Sequence, residues 1–375
     1  MAAETTVRSI VRKRIPPKLH IMPSPVFDLI LSLHVTFCPG SSEDYDIDPQ
    51  WIARARSACT PEMLETLAFF FGDGKGQWCS ANLCGLIWQA PDPSNITATL
   101  DWLGIEASTE DVLIEVMKTE GLGDDWQEVA LQIIRLQLDP NAASSDLSTR
   151  IQAFSRRFTA FERPAVVQFL THPKEEIARM VDAMRFWYEH VFKQEEDRFT
   201  SIGRHEAARL EKRAAESSID EVFASVIRGI EYNPPAAIAN IVLAPSLIIM
   251  PSVFHFTAGD TLTYCYPLEN PDHLAADTET TLRAEMIRLF DALADDTRIR
   301  ILHHLTKRQM YLTELAEHLK LTKATTRHHM IRLRAAGLVT LHMQDHLSYY
   351  SLRTETLDEP TQLLRRYLDI TQSQT

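Results

Sequence analysis

The sequence predicts a mainly α fold with minor β (α+β). A long helical N-terminal domain ends in a β-hairpin and is followed by a smaller C-terminal unit of short helices closed by two strands. Three observations predict it. Apolar residues recur at spacings of three and four through most of residues 51–199, the period of helices buried along one side. Around 247–268 that period gives way to β-branched runs and strict alternation, the pattern of paired strands. From Leu282 onward the chain breaks into short amphipathic stretches separated by cap and turn residues, which is helix punctuation.

At roughly 100–200 residues per domain, a chain of 375 residues holds two or three domains, so core size is not limiting. An apolar share of 45% with 24% charged residues is that of a folded globular chain and argues against disorder. The cysteines (Cys38, Cys59, Cys79, Cys84 and Cys265) are odd in number and unevenly spaced. With no secretory pattern at the N-terminus, they point to a reduced, cytoplasmic chain. The net charge of −13 disfavours a polyanionic partner if taken whole, but it is unevenly spread. Residues 281–353 carry 12 Lys plus Arg against 7 Asp plus Glu, a net +5, and residues 1–280 carry −16. Between His318 and Gln344 there is no acid, while Lys320, Lys323, Arg327, Arg332 and Arg334 are all basic. A local basic patch on an acidic chain is an electrostatic footprint for phosphate.

In chain order, residues 1–20 hold Arg8, Arg12, Lys13, Arg14 and Lys18 around Pro16 and Pro17 and read as a basic N-terminal arm or an edge segment. Residues 21–268 form a mostly helical domain, expected to serve sensing and dimerisation. Within it, 39–49 is loop chemistry and 51–71 is helical with a break at Pro61; further helices are expected at 110–118, 126–138, 146–161 and 174–199. The last places Ile177, Met180, Val181, Met184, Trp187 and Tyr188 on one stripe, a core face rather than a ligand-lining row. Residues 236–256 lack charge and approach the ~20 apolar residues of a membrane span. Pro234, Pro235, Pro245 and Pro251 with Asn240, Ser246 and Ser252 interrupt them, so short buried strands and no membrane are expected. A hairpin is expected between 247–256 and 261–268 across Thr-Ala-Gly-Asp, where turn chemistry is clear. The polar, Pro-containing stretch 269–280 reads as a linker.

In the unit 281–353, residues 286–294 form a helix, and Asp295-Asp296 cap the next one at 297–305, with Ile299, Ile301, Leu302 and Leu305 facing inward. After an extended piece at 310–312, Thr313 caps 314–320, and Leu321-Thr322 makes the turn into a helix at 323–336 stopped by Gly337; the caps and the stop are those helices prefer. At about 100° per residue, Thr326, Met330 and Leu333 share one side and Ala324, Arg327, His328 and Arg332 the other. This is the helix-turn-helix layout, whose second helix lies in the DNA major groove. Alternating strands over 338–352 with a polar tip form a wing. Its residues 342–348, through His342, Gln344 and His346, are placed to reach backbone phosphate or the minor groove. Residues 354–375 are expected to form a C-terminal helix.

The pieces LADDTRIRIL, LTELAEHLKLTKATTRHHMIRLRAAGLV and the wing ending SYYSL resemble the ArsR family of bacterial winged-helix repressors. The resemblance implies a homodimer on a two-fold symmetric double-stranded DNA operator, with Thr322, Lys323, Ala324, Arg327 and His328 near bases or phosphate. Thr325 and Arg332 complete the expected DNA-facing set on the helix. Thr326 stands where the family has an apolar residue and Arg327 where it has a small polar one, so base preference does not carry over. Metal-sensing members use a Cys-x-Cys pair before the turn or Asp and His on the last helix. Here TELAEHL lacks Cys and 360–370 lacks His, so no metal site is expected. His303-His304 and His328-His329 are adjacent on helices and point ~100° apart, which makes neither a chelate. Cys79 and Cys84 read as buried apolar residues. The N-terminal domain resembles the corresponding regions of other long family members, which implies no reaction.

The sequence therefore points to a sequence-specific DNA-binding transcriptional regulator, expected to repress. Its control is assigned to the N-terminal domain, through an unknown small-molecule effector or a protein partner. The alternative is an enzyme or protein-interaction module using the winged helix for dimerisation. No catalytic residue or cofactor is assigned. The Gly-rich candidate, residues 72–76, lacks the preceding strand and the spacing of a phosphate loop and reads as a surface turn.

Overall fold

The segment Pro25–Phe37 is apolar almost throughout, and in the computed structural model every one of its residues is buried. The structure describes residues 17–37, 45, 47–72, 80–119, 122–139, 146–160, 162–227, 230, 237–268, 278–344 and 347–368. The arginines expected in the basic arm, Cys38, Cys79, residues 73–76 of the Gly-rich stretch and the wing tip 345–346 lie outside them.

The N-terminal part runs β1 (Lys18–Ile21), α1 (Pro25–Phe37), α2 (Pro49–Ser57), α3 (Pro61–Phe71), α4 (Ile96–Asp101), α5 (Thr109–Met117), α6 (Trp126–Leu138) and α7 (Leu147–Ser155). It continues with α8 (Arg163–Thr171), α9 (Pro173–Trp187), α10 (Glu196–Glu216), α11 (Ile219–Val226), β2 (Asn240–Ser246), β3 (Phe254–Ala258) and β4 (Thr261–Pro267). Helix α1 is the axis of the helical body. Its buried Ser32 hydroxyl donates to the Leu29 carbonyl at 2.7 Å and accepts from the Trp187 indole at 2.9 Å, so the polar atom in the core is satisfied.

The four strands form one sheet in the order β1-β2-β4-β3, with β1, β2 and β4 parallel and β3 antiparallel to β4. Both faces are covered. Val242, Ala244, Phe256 and Cys265 join the helical core around α1, while Ile241, Leu243, Leu262, Tyr264 and Tyr266 face a second cluster with Leu210, Val222 and Phe223 from α10 and α11. Strands buried on both faces read as near-continuous apolar runs, which is why 236–256 resembles a membrane segment in composition. Among the described residues no helix is long and apolar enough to cross a membrane.

Several boundaries differ from expectation. The helix expected at 174–199 is divided, α9 giving way at Tyr188–Phe192 to a π-turn before α10 begins at Glu196, and the helix expected at 146–161 ends at Ser155. Strand β1 begins inside the expected arm 1–20, as its edge-segment alternative allows. The hairpin is present as β3-β4, but only the end of 247–256 belongs to it; the preceding strand β2 pairs in parallel with β1 and β4. The expected linker 269–280 ends early, because α12 (Thr278–Leu293) already begins at Thr278.

The C-terminal unit runs α12, α13 (Asp296–Leu305), β5 (Met310–Tyr311), α14 (Leu312–Leu319), α15 (Lys323–Ala335), β6 (Val339–Gln344), β7 (Leu347–Leu352) and α16 (Glu359–Tyr367). Its sheet has the order β5-β7-β6. The last helix occupies only part of the expected 354–375, following a 3-10 turn at Thr354–Thr356, and Leu363 on it is buried in the core of this unit with Leu289 of α12. Of the four residues expected to face inward on α13, Ile301, Leu302 and Leu305 do so, but Ile299 is 45% exposed. The inward place is taken by Arg298, whose stem is buried while Nε donates to the Ala292 carbonyl at 2.9 Å and Nη2 to the Asp291 carbonyl at 2.6 Å. It thereby satisfies carbonyls at the C-terminal end of α12, which a helix leaves without partners.

Candidate nucleic-acid interface

Helix α14 starts two residues earlier than Thr313 as its cap would dictate. Its N-cap is Tyr311, whose N–H donates to the Glu314 carboxylate at 2.8 Å, and the same carboxylate receives Arg308 at 2.9 Å. The helix ends at Lys320, which adopts φ +58°, a left-handed stop that glycine usually occupies. This residue makes the sharp turn, and Thr322 then caps α15 by accepting from the Thr325 N–H at 3.0 Å. Asp295 caps α13 in the same way, accepting from the Arg298 N–H at 2.8 Å.

The packing side of α15 is the one that its period dictates: Thr326, Met330 and Leu333 are fully buried or nearly so. Thr326 sits without cost in an apolar place because its hydroxyl donates to the Thr322 carbonyl at 2.9 Å, the back-bond open to helical Thr. At the start of the helix Thr322, Lys323, Thr325 and Arg327 are exposed, and His328 and Arg332 further along are half-buried. The side chain of Ala324 lies outside the described residues.

Two basic side chains depart from the expected pattern. Arg334, counted in the basic patch, is buried, and burial pushes its guanidinium below the usual value despite the Tyr350 and Tyr45 phenols acting on it. It belongs to the packing between α15, the wing and the N-terminal part. His329 turns inward, with Nδ1 3.6 Å from the Asp295 carboxylate; burial, the larger effect, lowers its pKa against the pull of that carboxylate. The period does mark His329, which stands three residues after Thr326 and four before Leu333; it does not mark Arg334, which is buried although Arg327, seven residues earlier on the same face, is exposed.

On the wing, β6 and β7 pair in antiparallel register with His342 opposite Tyr349. The two rings stack at 4.8 Å and 9°, and His342 Nε2 lies 2.6 Å from the Ser351 hydroxyl. A phosphate contact through that nitrogen requires giving up the Ser351 bond. The Gln344 side chain and His346 lie outside the described residues. The opposite face of the wing carries Leu341 and Tyr350 into the second cluster of the N-terminal part.

An exposed basic helix face preceded by a tight left-handed turn and followed by a two-stranded wing is the geometry of a DNA-reading head. Residues 295–340 match the family described as bacterial regulatory protein, arsR family. The chain is also 30% identical over 84 residues to the transcriptional repressor SdpR of Bacillus subtilis (strain 168), an alignment that covers 22% of this chain and 93% of that protein. The chain belongs to the ArsR family of bacterial regulatory proteins. It is a DNA-binding transcriptional regulator that carries a long N-terminal region beside the family's helix-turn-helix. No solved structure matches the chain significantly. Among the described residues of this ArsR-family regulator, no three His, Cys, Asp or Glu side chains cluster as metal ligands would.

Proposed function

We propose that this regulator is a repressor that lays α15 in the major groove of a two-fold symmetric operator, with the wing on the adjoining backbone or minor groove. The observation that carries the reading is the exposure of Thr322, Lys323, Thr325 and Arg327 at the start of α15, on a helix whose Thr326, Met330 and Leu333 are packed, within a stretch free of acids. Phosphate affinity comes from Lys323, Arg327 and Arg332, and base readout from the first turns of α15 with Thr325, Arg327 and His328, as such helices dock.

The functional unit is a homodimer. Ile287 and Phe290 on α12, Leu364 on α16 and Leu368 at its C-cap are large apolar residues left exposed, and α16 packs on α12 through Leu363, so the four side chains belong to one pair of neighbouring helices and the end of one of them. Apolar patches of this kind mark association surfaces. Residues 17–268 form the controlling module, and its contact with the wing is the route by which an effector alters DNA affinity.

The test is a gel shift with the full chain and the DNA upstream of its own gene. Binding is expected, with affinity falling steeply as salt rises because phosphate contacts release counterions. Absence of any shift at low salt overturns the reading.

A further inference from the structure

Among the described residues strand β1 stands at the edge of its sheet, and a cavity is lined by this strand and the residues that follow it. The cavity is about 800 Å³, within the range of small-ligand sites. Five consecutive residues from Leu19 to Pro23 line it. Successive strand side chains point to opposite faces, so such a run can border one cavity only if the cavity lies edge-on to the backbone. Lys18 and Met22 donate their N–H groups to the Ala239 and Leu243 carbonyls of the β2 side, both at 2.9 Å. Parallel pairing alternates, so the N–H and C=O groups of Leu19 and Ile21 are directed away from β2 and along the cavity.

The walls are chemically distinct. Trp88 and His20 pack with ring centroids 4.4 Å apart and planes tilted at 44°, forming an aromatic wall, with His20 held by Asn240 at 3.2 Å. Across the cavity, α10 contributes Arg204 and Glu211, neither of which forms an ion pair with another described residue. Seven residues apart, they share a helix face and stand ~10.5 Å apart along the axis. The next turn carries Ala214 and Ala215, small enough to leave room.

An extended tripeptide spans ~10 Å between its charged ends, offers unpaired backbone groups to a strand edge, and carries one positive and one negative terminus. We propose that this cavity binds a short zwitterionic peptide as an added strand on β1, its carboxylate at Arg204 and its ammonium at Glu211. The proposal rests on the reading of residues 17–268 as the controlling module and names its effector class. Val222 of α11 lines the cavity, and Phe223, Ile227 and Ile230 continue the same apolar cluster to Leu341 of the wing. A peptide seated on β1 therefore presses on the helix that leads to the DNA-reading head.

The test is calorimetric titration of the full chain with the peptide Ala-Leu-Ala in the absence of DNA. Saturable one-to-one binding is expected. Acetylating the amino end, amidating the carboxyl end or N-methylating the central residue should each weaken it by about tenfold or more, the loss of one charge-assisted or strand-type bond, and a peptide capped at both ends should bind more weakly still. Arg204→Gln and Glu211→Gln should weaken the free peptide to a similar degree and leave the capped peptide unchanged. No saturable heat, equal binding of the capped peptide, or equal binding of free leucine overturns the proposal. A chain that binds peptide but shifts no DNA unseats the regulatory reading alone, and one that shifts DNA but binds no peptide unseats this site alone.

Discussion

Ile230 and Leu341 pair as an isolated parallel bridge, so a residue of the N-terminal part extends the wing sheet at its β6 edge. Leu341 and Tyr350 complete an apolar cluster otherwise built from α10, α11 and the four-stranded sheet. The wing is thus shared by two cores: Val339 and Leu338 belong to the helix-turn-helix unit, and Leu341 belongs to the other.

Leu341→Ala should remove that shared packing at a cost of about 2–4 kcal/mol, as a buried Leu truncation does. Urea unfolding of the full chain is expected to change from one transition to two as the units melt separately. A single transition at an unchanged midpoint would show that the wing contact contributes nothing.

Arg327 and Arg334 lie seven residues apart on α15 but differ in exposure. Arg327→Ala should leave thermal stability unchanged and reduce the salt dependence of DNA binding by about one counterion. Arg334→Ala should instead lower the unfolding midpoint, because its stem and head are both packed, and leave the salt slope in place. If the two variants behave alike, the helix faces are assigned wrongly.

Helix α1 carries two buried titratable groups with opposite linkage. Burial pushes the Asp28 carboxyl up to about 7, against the pull of the Ser246 hydroxyl at 2.6 Å and the Leu247 N–H at 3.0 Å. Burial beside Phe254 and Tyr45 pulls His34 down to about 4. The folded chain therefore holds a proton on Asp28 that the unfolded chain releases, so its stabilising effect is lost as pH rises from about 4 to 7. His34 stays neutral while the unfolded chain takes up a proton, so its effect is lost as pH falls from about 6.5 to 4. The two slopes oppose each other over about pH 4–6.5, each worth at most about 3–4 kcal/mol. Asp28→Asn should unmask stability that rises with pH in that window, and His34→Gln stability that falls. Urea midpoints at steps across this range read the slopes, and variants that both run parallel to the parent chain would refute the assignment.

The turn before α15 gives a fourth expectation. Lys320 holds φ +58°, where a side chain costs about 1 kcal/mol relative to glycine. Lys320→Gly should raise the unfolding midpoint slightly while removing one basic group near the proposed DNA-facing surface. Thr326→Val, which keeps shape and gives up only an internal back-bond, should change stability by no more than about 1 kcal/mol and leave DNA affinity intact. A large loss from either would mean that the turn or the packed face is held by something other than these local contacts.

Much of the reading head was legible because its information is local. The period of Thr326, Met330 and Leu333, the caps at Asp295 and Thr322, and the alternation of the wing each span a few residues. The N-cap of α14 and the exposure of Ile299 depart from the sequence expectation for a local reason as well: Glu314 reaches back to Tyr311, and Arg298 takes the inward place of an apolar residue.

By itself the sequence determined the α+β class, the helix-turn-helix with its wing, the outward side of α15 and the basic field of the C-terminal unit on an acidic chain. The tertiary structure alone decided that β1 pairs with β2, that Asp28 meets Ser246 from 218 residues away, that Arg334 is buried, and that the wing docks on the N-terminal sheet. These are pairings between distant segments, in which each partner reads locally as an ordinary apolar or charged stretch. Helix periods and caps are written in neighbouring residues, whereas the partner of a strand edge or a buried charge is chosen by which surfaces remain uncovered once the helices have packed.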